Sequence, residues 1–143
     1  MSFRLIISQK LYDDLVSHAL EEWPRECCGL LAGSVIEGIG RVERLYRLIN
    51  VLGSAVEYES EPRSMFAAIR DMTMHGWDVL AVYHSHPTTA PVPSVKDRER
   101  NYSEDVMNLI IGLTPHPPLV RGWWLTANAH KEAEWQIEAH STN

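Results

Sequence analysis

The chain has 143 residues, with 13 Lys and Arg against 19 Asp and Glu, a formal net charge of −6, and 45% hydrophobic and 22% charged side chains. That length suits a single domain over residues 1–143, and that composition can bury a core without disulfides, which excludes intrinsic disorder as the dominant character. The acidic balance disfavours generic nucleic-acid binding, and the longest apolar runs, residues 109–113 and 119–125, fall far short of the roughly 20 residues that cross a membrane.

Residues 3–7 predict a short strand, and the apolar stretch stops at Ser8 and Gln9 with no leader-peptide cleavage pattern. Ser8 is placed to cap a helix, on one face of which Leu11, Leu15, Ala19, Leu20 and Trp23 recur until Pro24 ends it. Residues 27–33 form a small, apolar run bounded by glycine, which predicts a buried strand. Its adjacent Cys27 and Cys28 cannot close an ordinary disulfide, so a reduced, cytoplasmic setting is expected. Residues 41–49 predict a half-exposed strand. Glu61-Pro62 is a helix entry, followed by Met65, Phe66, Ile69 and Met72 at helical spacing, and Gly76 stops that helix. Residues 79–83 predict a central strand that runs into His84-Ser85-His86-Pro87. A loop with Pro87, Pro91 and Pro93 leads to Ser94-Val95-Lys96-Asp97, a capping box with Asp in the usual Glu position. Residues 106–113, 119–125 and 134–138 predict three further strands, the last two joined by a hairpin loop over 126–131 in an antiparallel meander.

The chemistry concentrates at His84-Ser85-His86. Side chains alternate along a strand, so both imidazoles emerge on one side and Ser85 on the other, a ready bidentate clamp. The loop is long enough to bring Asp97 back as a third ligand. Two histidines, one carboxylate and an open position for water make a hydrolytic zinc site. Each residue alone has a plainer explanation. A His-x-His pair can be a polar strand end, Asp97 a carboxylate complementing a helix dipole, Ser94 an N-cap, and Glu26 an exposed partner of Arg25. Cys27 and Cys28 read as small packing residues, and neither is assigned as a nucleophile. His18, His75, His116, His130 and His140 are expected to be solvated. Trp123-Trp124 should place one indole in the core and the other over a groove or subunit contact.

Taken together, His84-Ser85-His86-Pro87 and Pro93-Ser94-Val95-Lys96-Asp97 resemble the H-[ST]-H-P and S-x-x-D signature of the JAMM/MPN+ zinc metallopeptidases. Pro24-Arg25-Glu26-Cys27-Cys28-Gly29-Leu30-Leu31-Ala32-Gly33 is similar to that family's segment carrying a catalytic glutamate, and Asn50-Val51 with Glu57-Tyr58 resembles the connecting segment of its compact bacterial members. The resemblance implies that His84, His86 and Asp97 ligate Zn2+, that Glu26 is the general acid/base, and that Ser94 hydrogen-bonds the oxyanion of the tetrahedral intermediate. It implies an α/β fold of JAB1/MPN-like (cytidine-deaminase-like) type, a curved mixed β-sheet flanked by helices. The substrate it implies is the extended C-terminal Gly-Gly tail of a ubiquitin-like protein, held beside a strand by main-chain hydrogen bonds, and in the compact subgroup a sulfur carrier of the ThiS/MoaD type. A homodimer is a further expectation, with Trp123 or Trp124 at the contact, whereas no nucleic-acid or membrane partner is expected.

Two other readings compete. A non-catalytic MPN-type scaffold would normally lack one of Glu26, His84, His86 and Asp97, and all four are present. A zinc deaminase would carry H-x-E with P-C-x-x-C, which is missing, and the Glu-Cys-Cys-Gly-Leu-Leu segment points away from the RadC-type relatives.

Overall fold

The computed structural model describes residues 2–139, so the expectation for His140 lies outside the described residues. In chain order the elements are β1 (Arg4–Ser8), α1 (Gln9–Glu22), β2 (Cys28–Ile36), β3 (Ile39–Leu48), α2 (Pro62–His75), β4 (Asp78–His86), α3 (Val95–Glu99), β5 (Met107–Gly112), β6 (Leu119–Leu125), β7 (His130–Glu132) and β8 (Trp135–Glu138). The strands form one mixed sheet in the order β7-β6-β5-β4-β2-β3-β1-β8. Central β4 runs antiparallel to β2 and parallel to β5. The period-two alternation of β4 feeds two separate apolar layers. Ala81 and Tyr83 face α1 together with Leu15, Ala19 and Leu31, while Val82 faces α2 together with Leu30, Ala68 and Met72. Burying each such Leu or Met side chain contributes roughly 1.5–3 kcal/mol.

Both helices start where capping chemistry predicts. The Ser8 hydroxyl accepts from the Leu11 N–H, and the Glu61 carboxylate accepts from the Ser64 N–H ahead of Pro62. Their inward faces differ from the expected ones. In α1 the buried residues are Leu15, His18 and Ala19, whereas Leu20 and Trp23 are 50% and 59% exposed. At about 100° per residue, Leu20 lies on the far side of the helix from the stripe that Leu11, Leu15 and Ala19 define, Trp23 is the C-cap beyond its edge, and His18 fills the position facing Tyr83. In α2, Ala68 and Met72 go inward and Phe66 is left exposed.

The expected antiparallel meander forms as β5-β6-β7, but residues 134–138 are not its third strand. The hairpin partner of β6 is the three-residue β7, and β8 instead runs parallel to β1 at the opposite end of the sheet order. The switch takes two residues: the Ala133 N–H donates to Gly122 O of β6, and Glu134 O accepts from the Leu5 N–H of β1. The curled sheet thus nearly closes on itself, with Phe3 and Trp124 edge-to-face across the seam, ring centroids 5.1 Å apart.

Trp123 is the indole that enters the core, as expected of one of the adjacent pair, while Trp124 is only partly buried. Trp123 thereby drops out as a contact candidate. It is 5% exposed and its indole N–H donates to Pro91 O at 3.0 Å, leaving no surface for a subunit contact. The same proline explains Gly112, where a Cβ would lie 2.7 Å from Pro91 Cδ, so the proline-rich loop seats directly on the end of β5. No helix among the described residues is long and apolar enough to cross a membrane.

Candidate metal centre

The sheet register assembles the site. Antiparallel pairing places Cys28, at the start of β2, opposite His84, near the end of β4, so Glu26, two residues ahead of Cys28, arrives beside the paired histidines. Ser85, on the other face of β4, clamps that junction: its Oγ accepts from the Cys27 N–H at 2.8 Å and its N–H donates to Cys27 O at 3.2 Å. The loop after β4 then turns back and delivers α3. There the capping box is complete, with the Ser94 Oγ accepting from the Asp97 N–H at 3.1 Å and Asp97 Oδ2 accepting from the Ser94 N–H at 2.9 Å. Local helix chemistry therefore aims the Asp97 carboxylate at β4.

Three donors converge. His84 Nε2 and His86 Nε2 are 3.1 Å apart, and each lies 3.2 Å from one oxygen of Asp97. A tetrahedral ion with bonds of about 2.0–2.1 Å would set its ligands roughly 3.3 Å from one another, which these separations match. The protonation pattern agrees. His86 Nδ1 lies 2.8 Å from Ala90 O, and because a carbonyl only accepts, Nδ1 carries the proton and Nε2 of the neutral ring presents a lone pair. That lone pair faces Asp97 Oδ2, two acceptors in need of a positive charge. Among the described residues, none partners the buried His84 Nδ1 on the far side of that ring. His84 is fully buried and stacks against Tyr58, ring centroids 4.8 Å apart.

Electrostatics point the same way. Burial works against charge on Asp97, yet the adjoining His84 and His86 rings and the Ser94 N–H prevail and hold its carboxyl well below the ordinary carboxylate range. Burial likewise opposes protonation of His86, and Asp97 with Ala90 O overcomes it and raises the ring's proton affinity. The cluster is a trap for positive charge. His84, His86 and Asp97 fit a metal ion by donor type, spacing and charge.

Glu26 is buried, 4% exposed, which overturns its plain reading as an exposed partner of Arg25. Burial pushes its carboxyl up to about 8, opposed by His86 and reinforced by Asp97 and Glu57. Ser94 is exposed at the site's margin, and since its oxygen accepts from Asp97, its own hydroxyl proton is free to donate outward. Cys27 and Cys28 are buried, free thiols, pushed up to about 12 mainly by burial, as inert packing residues should be.

The structure gives roles to residues to which the sequence assigned none. Ser85 was visible as the middle of His-Ser-His, but nothing local says that it binds Cys27. Asn50, Glu57 and Tyr58, marked in the sequence by the connecting-segment resemblance without a role, lie on the loop of residues 49–60 that crosses the site. His18, expected to be solvated, is buried with Nδ1 2.7 Å from the Tyr83 hydroxyl, and burial pushes it down to about 4.

Residues 8–126 match the family model of prokaryotic homologs of the JAB domain. The chain belongs to that family. Among JAB-family relatives it is 36% identical over 104 residues to a desampylase of Haloferax volcanii, an alignment covering 69% of this chain and 73% of that protein. It is 29% identical over 129 residues to the CysO-cysteine peptidase of Mycobacterium tuberculosis, covering 90% and 87%. Its fold superposes on the solution structure of a Desulfitobacterium hafniense protein with a TM-score of 0.85 at 29% identity, covering 96% of this chain and 95% of that one. The expected α/β fold with a curved mixed sheet is the one observed.

Proposed function

We propose that this JAB-family chain is a zinc-dependent peptidase that hydrolyses the bond following the C-terminal Gly-Gly tail of a ubiquitin-like sulfur-carrier protein. The observation that carries this reading is the convergence of His84 Nε2, His86 Nε2 and the Asp97 carboxylate at 3.1–3.2 Å beside the buried Glu26 carboxyl. Relatives named for removing conjugates or cysteine from small carrier proteins support the substrate class.

His84, His86 and Asp97 would hold the metal, which when bound acidifies a water toward neutral pH and polarises the scissile carbonyl. Glu26 supplies the proton traffic. As a carboxylate it takes the proton of the attacking water, and as the acid it returns it to the leaving amine nitrogen. Its surroundings suit both states: burial favours the protonated carboxyl, whereas positive charge held by the neighbouring cluster of His84, His86 and Asp97 favours the carboxylate. Ser94 donates its hydroxyl to the oxygen of the tetrahedral carbon, and the capping box fixes the serine while it does so. We read residues 1–143 as one catalytic domain working in the cytoplasm, where the neighbouring thiols Cys27 and Cys28 stay reduced.

Metal analysis of the purified chain beside His86→Ala tests the first half. One zinc per chain, lost in the variant, is expected, and a full complement in His86→Ala would remove the site. Mass spectrometry of ThiS/MoaD-like carriers extended beyond Gly-Gly tests the second half. Truncation at the second glycine is expected, and carriers left intact by zinc-loaded protein would remove the substrate.

A further inference from the structure

We propose that Asn50 is a positioning residue for Glu26, fixing the backbone of that acid/base in register with the metal cluster. The inference rests on the reading of Glu26 given above. Glu26 lies just outside the ladder that begins at Cys28, so the sheet satisfies neither of its backbone polar groups. The loop of residues 49–60 does so instead. The Glu26 N–H donates to Ser54 O at 2.8 Å, and Glu26 O accepts from Asn50 Nδ2 at 3.0 Å.

A single side-chain amide organises that loop. The other Asn50 Nδ2 bond goes to Glu57 O at 3.2 Å, while Oδ1 accepts from the Leu52 N–H at 3.1 Å and the Glu59 N–H at 3.0 Å. The full capacity of the amide, two donors and two acceptor sites, is thereby used. A bridge between Asn50 and Ser60 and the bond from the Val51 N–H to Glu59 O close the loop on itself. Its far end is tied to the metal side. The Glu57 carboxylate pairs with Lys96 at 2.8 Å and Arg100 at 3.4 Å, which flank Asp97 on α3, and the neighbouring Tyr58 stacks on His84. Asn50 thus sits where one polar group links the backbone of Glu26 to the segment that also touches a histidine and the Asp97 helix. A glutamate carboxylate hangs at the end of a flexible stem, so a small rotation at its backbone moves the reacting oxygens by a large part of an ångström. Misplacement of about 1 Å costs on the order of 100-fold in rate.

The test compares Asn50→Ala, Asn50→Asp, Glu26→Gln and the double variant Glu26→Gln/Asn50→Ala, with a sulfur-carrier protein extended by a short peptide beyond Gly-Gly as substrate. Asn50→Asp retains acceptors for Leu52 and Glu59 but sets a carboxylate oxygen against the carbonyls of Glu26 and Glu57. Both single Asn50 variants should lose roughly 10–100-fold in kcat with KM within about twofold and zinc content unchanged. In the Glu26→Gln background, Asn50→Ala should change the residual kcat by less than about twofold, because its effect runs through Glu26. A wild-type kcat in Asn50→Asp, or the same drop with and without Glu26, would overturn the proposal, and the second result holds even where Asn50→Ala loosens the fold. A fully active Glu26→Gln sinks the functional reading itself, whereas an inactive Glu26→Gln beside unaffected Asn50 variants sinks the positioning role alone.

Discussion

Two faces of one strand carry buried histidines with opposite character. On the α1 side of β4, His18 of α1 meets the Tyr83 hydroxyl, and burial, aided by Arg47 and opposed by Glu21, drives it toward the neutral form. On the α2 side, one residue further along, His84 and His86 are equally buried but meet the Asp97 carboxylate, which draws positive charge in. Burial is common to both places, so burial does not make the site. A carboxylate held in place by its own helix cap does, because it turns the cost of a desolvated imidazole into an attraction for a cation. The first arrangement is packing with a satisfied polar tip, and the second is a place for chemistry.

The contrast can be broken by substitution. Asp97→Asn removes the charge with little change in shape, and should cost more in zinc affinity and in kcat than the roughly 10–100-fold typical of losing an outer partner of a ligand. Zinc titration with a competing chelator reads it, and unaltered affinity would mean that the carboxylate is a cap and no more. The other face should respond in stability instead. The folded chain keeps His18 neutral down to about pH 4, whereas an unfolded chain protonates it near the ordinary 6.5. Between those values the unfolded state carries the additional proton, so stability is fully present above pH 6.5 and declines as pH falls toward 4, by at most about 3 kcal/mol. Urea unfolding at several pH values, compared with His18→Leu, isolates this slope, and parallel curves would refute it. At pH 7 the same variant should lose about 1–3 kcal/mol by orphaning the Tyr83 hydroxyl while zinc content stays intact. The smallest effect belongs to a fourth histidine. His75 is exposed and stacked on Trp77 at 4.3 Å, and His75→Gln should change stability by less than about 0.5 kcal/mol in a thermal melt.

Much of the candidate site was legible because its information is local. The spacing of two between His84 and His86 sets a shared face, and the spacing of three between Ser94 and Asp97 writes a helix cap; both follow from periodicity alone. Glu26 could be associated with them through the resemblance of its segment, since nothing nearby predicts that β2 begins opposite the end of β4. The roles of Asn50 and His18 escaped for the same reason. Their partners Glu26 and Tyr83 lie 24 and 65 positions away, and an amide or imidazole in isolation reads as surface. The misplaced β8 is the most instructive case. Its residues have strand character, but a run of four cannot announce a parallel partner at the other end of the chain, and the shorter β7 has no burial pattern at all to mark it. In α1, apolar character alone put Leu20 and Trp23 inward, while the packing chose a histidine.

The crossing at Ala133 and Glu134 has a kinetic consequence. Because β1 is flanked by β3 and by β8, the first strand made is completed by the last, and the loop closed between them spans nearly the entire chain. Contacts so far apart in sequence slow folding and bind its steps together. The amide protons of Leu5 and Ile7 should therefore exchange with solvent at the same pace as those of residues 135–138, as one opening unit, although they belong to opposite termini.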